Sequence, residues 1–120
     1  LAATRHDGSE ELIYVHAKIA VVDDEWATIG SANAMIRSFT DDTELNVTTW
    51  DRSVASRLRD ELMAEHLGEM DASRVPDDDR VAVRMFRERA LENAQRRRDG
   101  RPMNGSIYAI QPHEWALPED

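Results

Sequence analysis

Tyr14-Val15-His16-Ala17-Lys18-Ile19-Ala20-Val21-Val22-Asp23-Asp24-Glu25-Trp26-Ala27-Thr28-Ile29-Gly30-Ser31-Ala32-Asn33 is the stretch on which the fold turns. Residues 12–22 are apolar and rich in β-branched side chains, interrupted by His16 and Lys18, and read as one buried strand. Asp23-Asp24-Glu25 is a polar turn, and residues 26–29 are a second strand, so the two form a hairpin. Gly30-Ser31-Ala32-Asn33 breaks the pattern and opens a loop or helical turn through Arg37. Residues 45–50 are a third strand. Such near-continuous apolar runs predict a sheet covered on both faces.

Helical spacing follows. Asp51 is a natural N-cap, Val54, Leu58 and Leu62 recur every fourth residue with Met63 and Leu67 widening the stripe, and Gly68 is a stop. The spacing predicts a helix over 52–67, packed on the sheet through Leu58 and Leu62. Pro76 and Asp77-Asp78-Asp79 start another helix, with a narrow stripe of Val83, Phe86, Ala90 and Ala94 and with Arg96-Arg97-Arg98 at its negative end. Residues 106–110 are a short strand candidate. A hairpin and a strand followed by two helices is an α/β or α+β pattern.

The chain has 120 residues, room for one domain or part of one. Its 41% hydrophobic and 32% charged residues exclude collagen-like and low-complexity classes, and no apolar run approaches a membrane span. No basic region leads into an apolar one, so no signal peptide is read, and the piece is soluble or peripheral at a membrane. The net charge of −9 weighs against a polyphosphate partner, so nucleic acid is not the expected one. With no cysteine, thiolate catalysis, disulfides and Cys-ligated metals are excluded, and no metal-ligand spacing occurs.

His16 and Lys18 are two apart, so on a strand both leave the same face. An imidazole and an ammonium on one buried face are costly unless they meet an anion. Gly30 permits close backbone approach to a ligand, and Ser31 and Asn33 supply neutral donors to anionic oxygens. Glu44 opens the third strand and could accept a hydrogen bond from the far nitrogen of His16, stabilising a charged or phosphorylated ring. A nucleophilic nitrogen, an orienting carboxylate and a cation with polar donors around an anion fit covalent phosphoryl-type transfer. The bland alternatives are a snorkelling Lys18, a turn-capping Ser31 and a solvated Glu44. His6 and His113 read as loop residues, His66 as a helix-end residue, the Arg96–Arg98 run as a solvated helix end, and Trp26, Trp50 and Trp115 as core or tail anchors.

These residues resemble the phospholipase D superfamily. Its HxKxxxxD…GSxN signature is complete as His16, Lys18, Asp23, Gly30, Ser31 and Asn33. Tyr14-Val15, Val22-Asp23-Asp24, Arg37-Ser38 and Asp42-Thr43-Glu44-Leu45 are similar to the flanks of the second, C-terminal motif in bacterial members, and residues 58–68 are similar to the helix that follows. The resemblance covers roughly residues 12–68.

The resemblance implies part of a phospholipase D-type sheet-and-helix sandwich, with residues 1–70 as a half-domain carrying one motif; residues 71–120, outside the resemblance, read from their spacing as a helical extension and tail. It implies that one motif's His attacks phosphorus to form a phosphohistidine, and the other motif's His protonates the leaving group. Lys18, Ser31 and Asn33 would bind phosphate oxygens, Glu44 would support His16, and Asp23 and Gly30 would be structural. No metal or other cofactor is expected. The substrate would be a phospholipid or another phosphodiester, through hydrolysis or phosphatidyl transfer. The alternatives are a nuclease on the same site, or an inert half-domain. A complete site needs two motifs, and only 15 residues precede His16 in a chain that begins at Leu1. The expectation is a C-terminal piece of a two-motif enzyme, its second HxKxxxxD half supplied by the full-length chain or another subunit.

Overall fold

A computed structural model of the protein describes residues 1–4, 9–69 and 71–110. His6, His113 and Trp115 lie outside the described residues. In order, the elements are β1 (Ala2–Thr4), β2 (Glu10–Leu12), β3 (Lys18–Val22), β4 (Trp26–Gly30), α1 (Ile36–Thr40), β5 (Asn46–Thr49), α2 (Arg52–Leu67), a 3-10 turn (Ala72–Arg74) and α3 (Asp79–Arg98). The fold is mixed α/β, a small antiparallel sheet with helices. Two compact units are formed, one by Val15–Leu62 and one by Leu1–Tyr14 with Met63–Asp120.

In Val15–Leu62 the strands run in the order β3-β4-β5, all antiparallel. Lys18 pairs with Gly30 and Val22 with Trp26; Gly30 in turn pairs with Asn46. The hairpin turn has φ of 52° at both Asp23 and Asp24, and Glu25 N–H donates to the Val22 carbonyl at 3.0 Å. Two consecutive left-handed residues make a type I′ turn, whose twist suits a two-strand hairpin and which Asp tolerates. Asp24 pairs with Arg59 of α2 at 3.1 Å, and Glu25 with Arg52. As expected, Asp51 caps α2, its Oδ1 accepting from Ser53 N–H at 2.8 Å.

The expected single strand over 12–22 is divided. Ile13 N–H donates to the Leu1 carbonyl beside the β1–β2 ladder, whereas Lys18 onward pairs with β4. One apolar run thus serves two ladders and breaks over 13–17. Nor are both faces of the sheet covered: Ile29 is 47% and Val47 73% exposed. Among the described residues of Val15–Leu62 only Ala27, Ser38 and Ala55 are buried, and Leu58 and Leu62 are half-buried. Ion pairs tie α2 to the hairpin turn, Arg52 with Glu25 and Arg59 with Asp24. Trp50 is exposed, not a core anchor, because it follows the last residue of β5.

The other unit has a conventional core. Ala64, Val75 and Ala82 pack together with Met63 and Ala72. Asp78 caps α3 through Arg80 and Val81 N–H, in line with the acidic start read from the sequence. The α3 stripe follows the expected one at Ala94, buried, and at Phe86 and Ala90, half-buried, but Val83 is exposed and Ala82 and Asn93 are buried instead. Asn93 is fully buried and ties the loop before Ile107 to the helix. Its Nδ2 donates to the Asn104 and Ile107 carbonyls at 2.8 and 2.7 Å, and its Oδ1 accepts from Asn104 N–H at 2.9 Å. Residues 106–110 are not a strand. Their backbone bonds go singly to Ala2, His66 and Ala90, so no ladder forms. His66 Nδ1 lies 3.2 Å from Ser106 Oγ, and Arg97 stacks on Tyr108 while pairing with Glu10. The arginine run is therefore engaged within its own unit. No helix among the described residues is long and apolar enough to cross a membrane.

Candidate active site

The motif residues gather in Val15–Leu62. Register places Lys18, Ala20, Trp26, Thr28, Asn46 and Thr48 on one face of the β3-β4-β5 sheet. These six line a pocket of about 540 Å³, which Asn33, Ala34 and Phe39 complete. The structure thus brings Lys18 and Asn33, an ammonium and an amide, to one cavity. His16 lies in the extended segment just before β3 rather than on it, and is exposed. Its backbone carbonyl accepts from Lys18 Nζ at 2.7 Å. An ammonium has three donors, so this bond fixes the lysine and leaves capacity for an anion.

Ser31 joins two segments. Its hydroxyl donates to Glu44 Oε2 at 2.5 Å and accepts from Leu45 N–H at 3.0 Å. The Glu44 carboxyl is held below the usual carboxylate range, first by the Ser31 hydrogen bond, then by the polar Ser38 hydroxyl, with the Lys18 charge adding to them against partial desolvation. A carboxylate kept ionised next to a lysine is suited to stabilising a cationic ring and unsuited to acting as an acid near neutrality. Asp23 occupies the hairpin turn, at the opposite end of β3 from Lys18.

Gly30 has a different reason from the one expected. A Cβ there would stand 2.1 Å from Asn46 Oδ1 and 2.4 Å from the Leu45 carbonyl oxygen, so the close approach is to β5. Asn46 uses that space: its Oδ1 accepts from Ala32 N–H at 3.2 Å and its Nδ2 donates to Thr28 Oγ1 at 3.2 Å. Thr48 Oγ1 closes the set at 3.1 Å from Thr28 Oγ1. Asn46 was missed by sequence reasoning, because its partners become neighbours only after the sheet forms. Ser38, read only as part of a flank, accepts from Asn33 N–H at 3.2 Å.

Comparison with known proteins agrees with the motif. Residues 3–66 match the family model described as cardiolipin synthase, PLD-like domain. Cardiolipin synthase 1 of Staphylococcus epidermidis is 44% identical over 46 residues, covering 38% of this chain and 9% of that protein. The major cardiolipin synthase ClsA of Bacillus subtilis is 44% identical over 45 residues, with the same shares covered. A cardiolipin synthase of Staphylococcus aureus is 41% identical over 46 residues, again 38% of this chain and 9% of the relative. The matched stretch is thus about a tenth of each relative's length. No solved structure matches the chain. The family match spans more than half of the chain and carries the whole HxKxxxxD…GSxN signature, so the chain belongs to the PLD-like domain family of cardiolipin synthases, within the phospholipase D superfamily.

Proposed function

We propose that this chain supplies one half of the active site of a phosphatidyltransferase acting on phospholipids through a phosphohistidine. The observation that supports this most is the convergence of Lys18 and Asn33 on one pocket, with the Glu44 carboxylate bonded to the signature Ser31. Residues 1–70 are the catalytic portion in this reading and residues 71–120 its extension.

A His16 ring nitrogen attacks phosphorus, forming N–P as the P–O bond to the leaving alcohol breaks. The leaving oxygen takes its proton from the His of a second HxKxxxxD motif. An acceptor alcohol or water then loses its proton to that same His, attacks phosphorus and releases His16. Lys18, Ser31 and Asn33 hold the non-bridging oxygens, and Glu44 stabilises the charged ring of His16. The net charge of −9 weighs against a nucleic-acid backbone as the substrate.

The test uses the chain combined with a second-motif half and vesicles of phosphatidylglycerol, which carries both a phosphodiester and a free headgroup alcohol. Expected is a new lipid with two phosphatidyl groups and released glycerol, or phosphatidic acid where water is the acceptor. Cleavage of DNA or RNA with no change in the lipid would overturn the lipid reading in favour of a nuclease. No turnover of either would favour an inert half-domain.

A further inference from the structure

Lys18, Gly30 and Asn46 stand in one row across the β3-β4-β5 sheet, and Ala20, Thr28 and Thr48 in the next row on the same face. Neighbouring strands lie about 4.8 Å apart, which puts the β3 and β5 backbones about 10 Å from one another. The middle strand presents no side chain in the first row, and the Asn46 amide leans into the space over Gly30, toward β3. Asn46 and Thr48 line the same pocket as Lys18 and Asn33, and its volume of about 540 Å³ is far more than one phosphate group fills.

The hydrogen bonds at the β5 end fix which capacities remain. Thr28 has one hydroxyl proton, and it goes to the Val47 carbonyl at 3.3 Å. Thr28 Oγ1 is therefore the acceptor for its other two neighbours, Asn46 Nδ2 at 3.2 Å and Thr48 Oγ1 at 3.1 Å. Thr48 spends its only proton there and keeps its acceptor lone pairs. Asn46 spends one of its two Nδ2 protons and keeps the other. Its amide cannot be turned round, because Oδ1 accepts from Ala32 N–H at 3.2 Å. One donor on Asn46 and one acceptor on Thr48 are left, both anchored on the same Thr28 oxygen. An ionised phosphate oxygen only accepts, whereas an alcohol hydroxyl donates and accepts, so the pair matches an alcohol.

We propose that Asn46 and Thr48 form a hydroxyl-binding subsite beside the phosphate end of the pocket, and that they select phosphodiesters whose alcohol carries a further hydroxyl, as a polyol headgroup does. This deepens the reading of a phosphodiester-transfer site and rests on it for the anion. Lys18 and Asn33 take the phosphoryl oxygens in that reading, and the β5 pair takes the alcohol. Neither Asn46 nor Thr48 belongs to the HxKxxxxD…GSxN signature, and the proposed chemistry leaves both without a role.

The test titrates the full chain with two phosphodiesters of one carbon skeleton, glycerophosphoglycerol and dipropyl phosphate, the second lacking every hydroxyl, and with glycerol alone. NMR follows the Asn46 side-chain amide and the Thr48 methyl group. Wild type should bind glycerophosphoglycerol about fivefold tighter than dipropyl phosphate or better, the scale of one added hydrogen bond, with shifts at both groups. Thr48→Val keeps the shape and removes the hydroxyl. It should lose that preference while binding dipropyl phosphate as wild type does, and Thr48→Ser should retain it. Equal affinity of wild type for the two diesters, or a preference that survives in folded Thr48→Val, would overturn the proposal and leave the phosphate site standing. Dipropyl phosphate that does not bind, with glycerol still moving the Asn46 and Thr48 signals, would defeat the phosphodiester reading and leave the subsite standing. No shift at either residue with any of the three ligands would overturn the proposal. Tighter binding of a diribonucleoside phosphate than of glycerophosphoglycerol would overturn the polyol headgroup as its occupant.

Discussion

Val15–Leu62 and the unit formed by Leu1–Tyr14 with Met63–Asp120 are ordered by different means. The second buries Ala64, Val75 and Ala82 together and locks the loop before Ile107 through the fully buried Asn93. The first buries only small side chains among its described residues and leaves Ile29 and Val47 open. Around the motif it is held by separate polar pairings: Ser31 with Glu44, Asn46 with Thr28, and Ser38 with the Asn33 backbone. The site sits in the unit with the thinner core. Polar side chains paired with one another do not also form an apolar interior, so the unit that carries the motif depends on pairing more than on burial.

Substitutions can break this contrast. The largest effect is expected at the motif. In the assembled enzyme, His16→Ala should reduce turnover to background, while Lys18→Ala and Asn33→Ala should lower kcat by about 10²–10³, the range of a lost oxyanion donor. Steady-state kinetics on a nitrophenyl phosphodiester measures both. In the well-packed unit, Asn93→Leu strands the Asn104 and Ile107 carbonyls and the Asn104 amide, and should cost about 3 kcal/mol or more by urea unfolding. Gly30→Ala forces Asn46 and β5 away and should cost roughly 1–3 kcal/mol, with faster amide exchange confined to β4 and β5. Leu58→Ala should cost only about 1–2 kcal/mol, below the range for a fully buried leucine, because its side chain is half-exposed. A Leu58 effect as large as that of Asn93 would erase the distinction between the two units.

Much of this was legible in the sequence, and the rest fails for physical reasons. His16, Lys18, Asp23, Gly30, Ser31 and Asn33 announce the site because the spacing itself is the signal. Asp51, Gly68 and the acidic start of α3 mark helix ends by local chemistry that needs no tertiary partner. The break over 13–17 was hidden because composition does not tell that one apolar run pairs with two different strands. The burial of Asn93 in α3 was hidden because hydropathy scores asparagine as a surface residue. The role of Asn46 is invisible to pattern reading, since it consists of bonds across fourteen and eighteen positions of chain.

The central claim is that this chain holds half of a two-motif site. In the proposed chemistry His16 attacks and Lys18 and Asn33 bind oxygens, while Glu44, its carboxyl held low, is unsuited to act as acid, so that reading assigns the acid to a second motif. A positioned general acid is typically worth about 10²–10⁴ in rate. The most direct measurement is turnover of a nitrophenyl phosphodiester and of phosphatidylcholine by residues 1–120, purified, folded and monomeric by gel filtration. The account predicts background rates for the monomer and turnover only when a second HxKxxxxD half is supplied. Robust turnover by the monomer would show that one motif suffices and would contradict it.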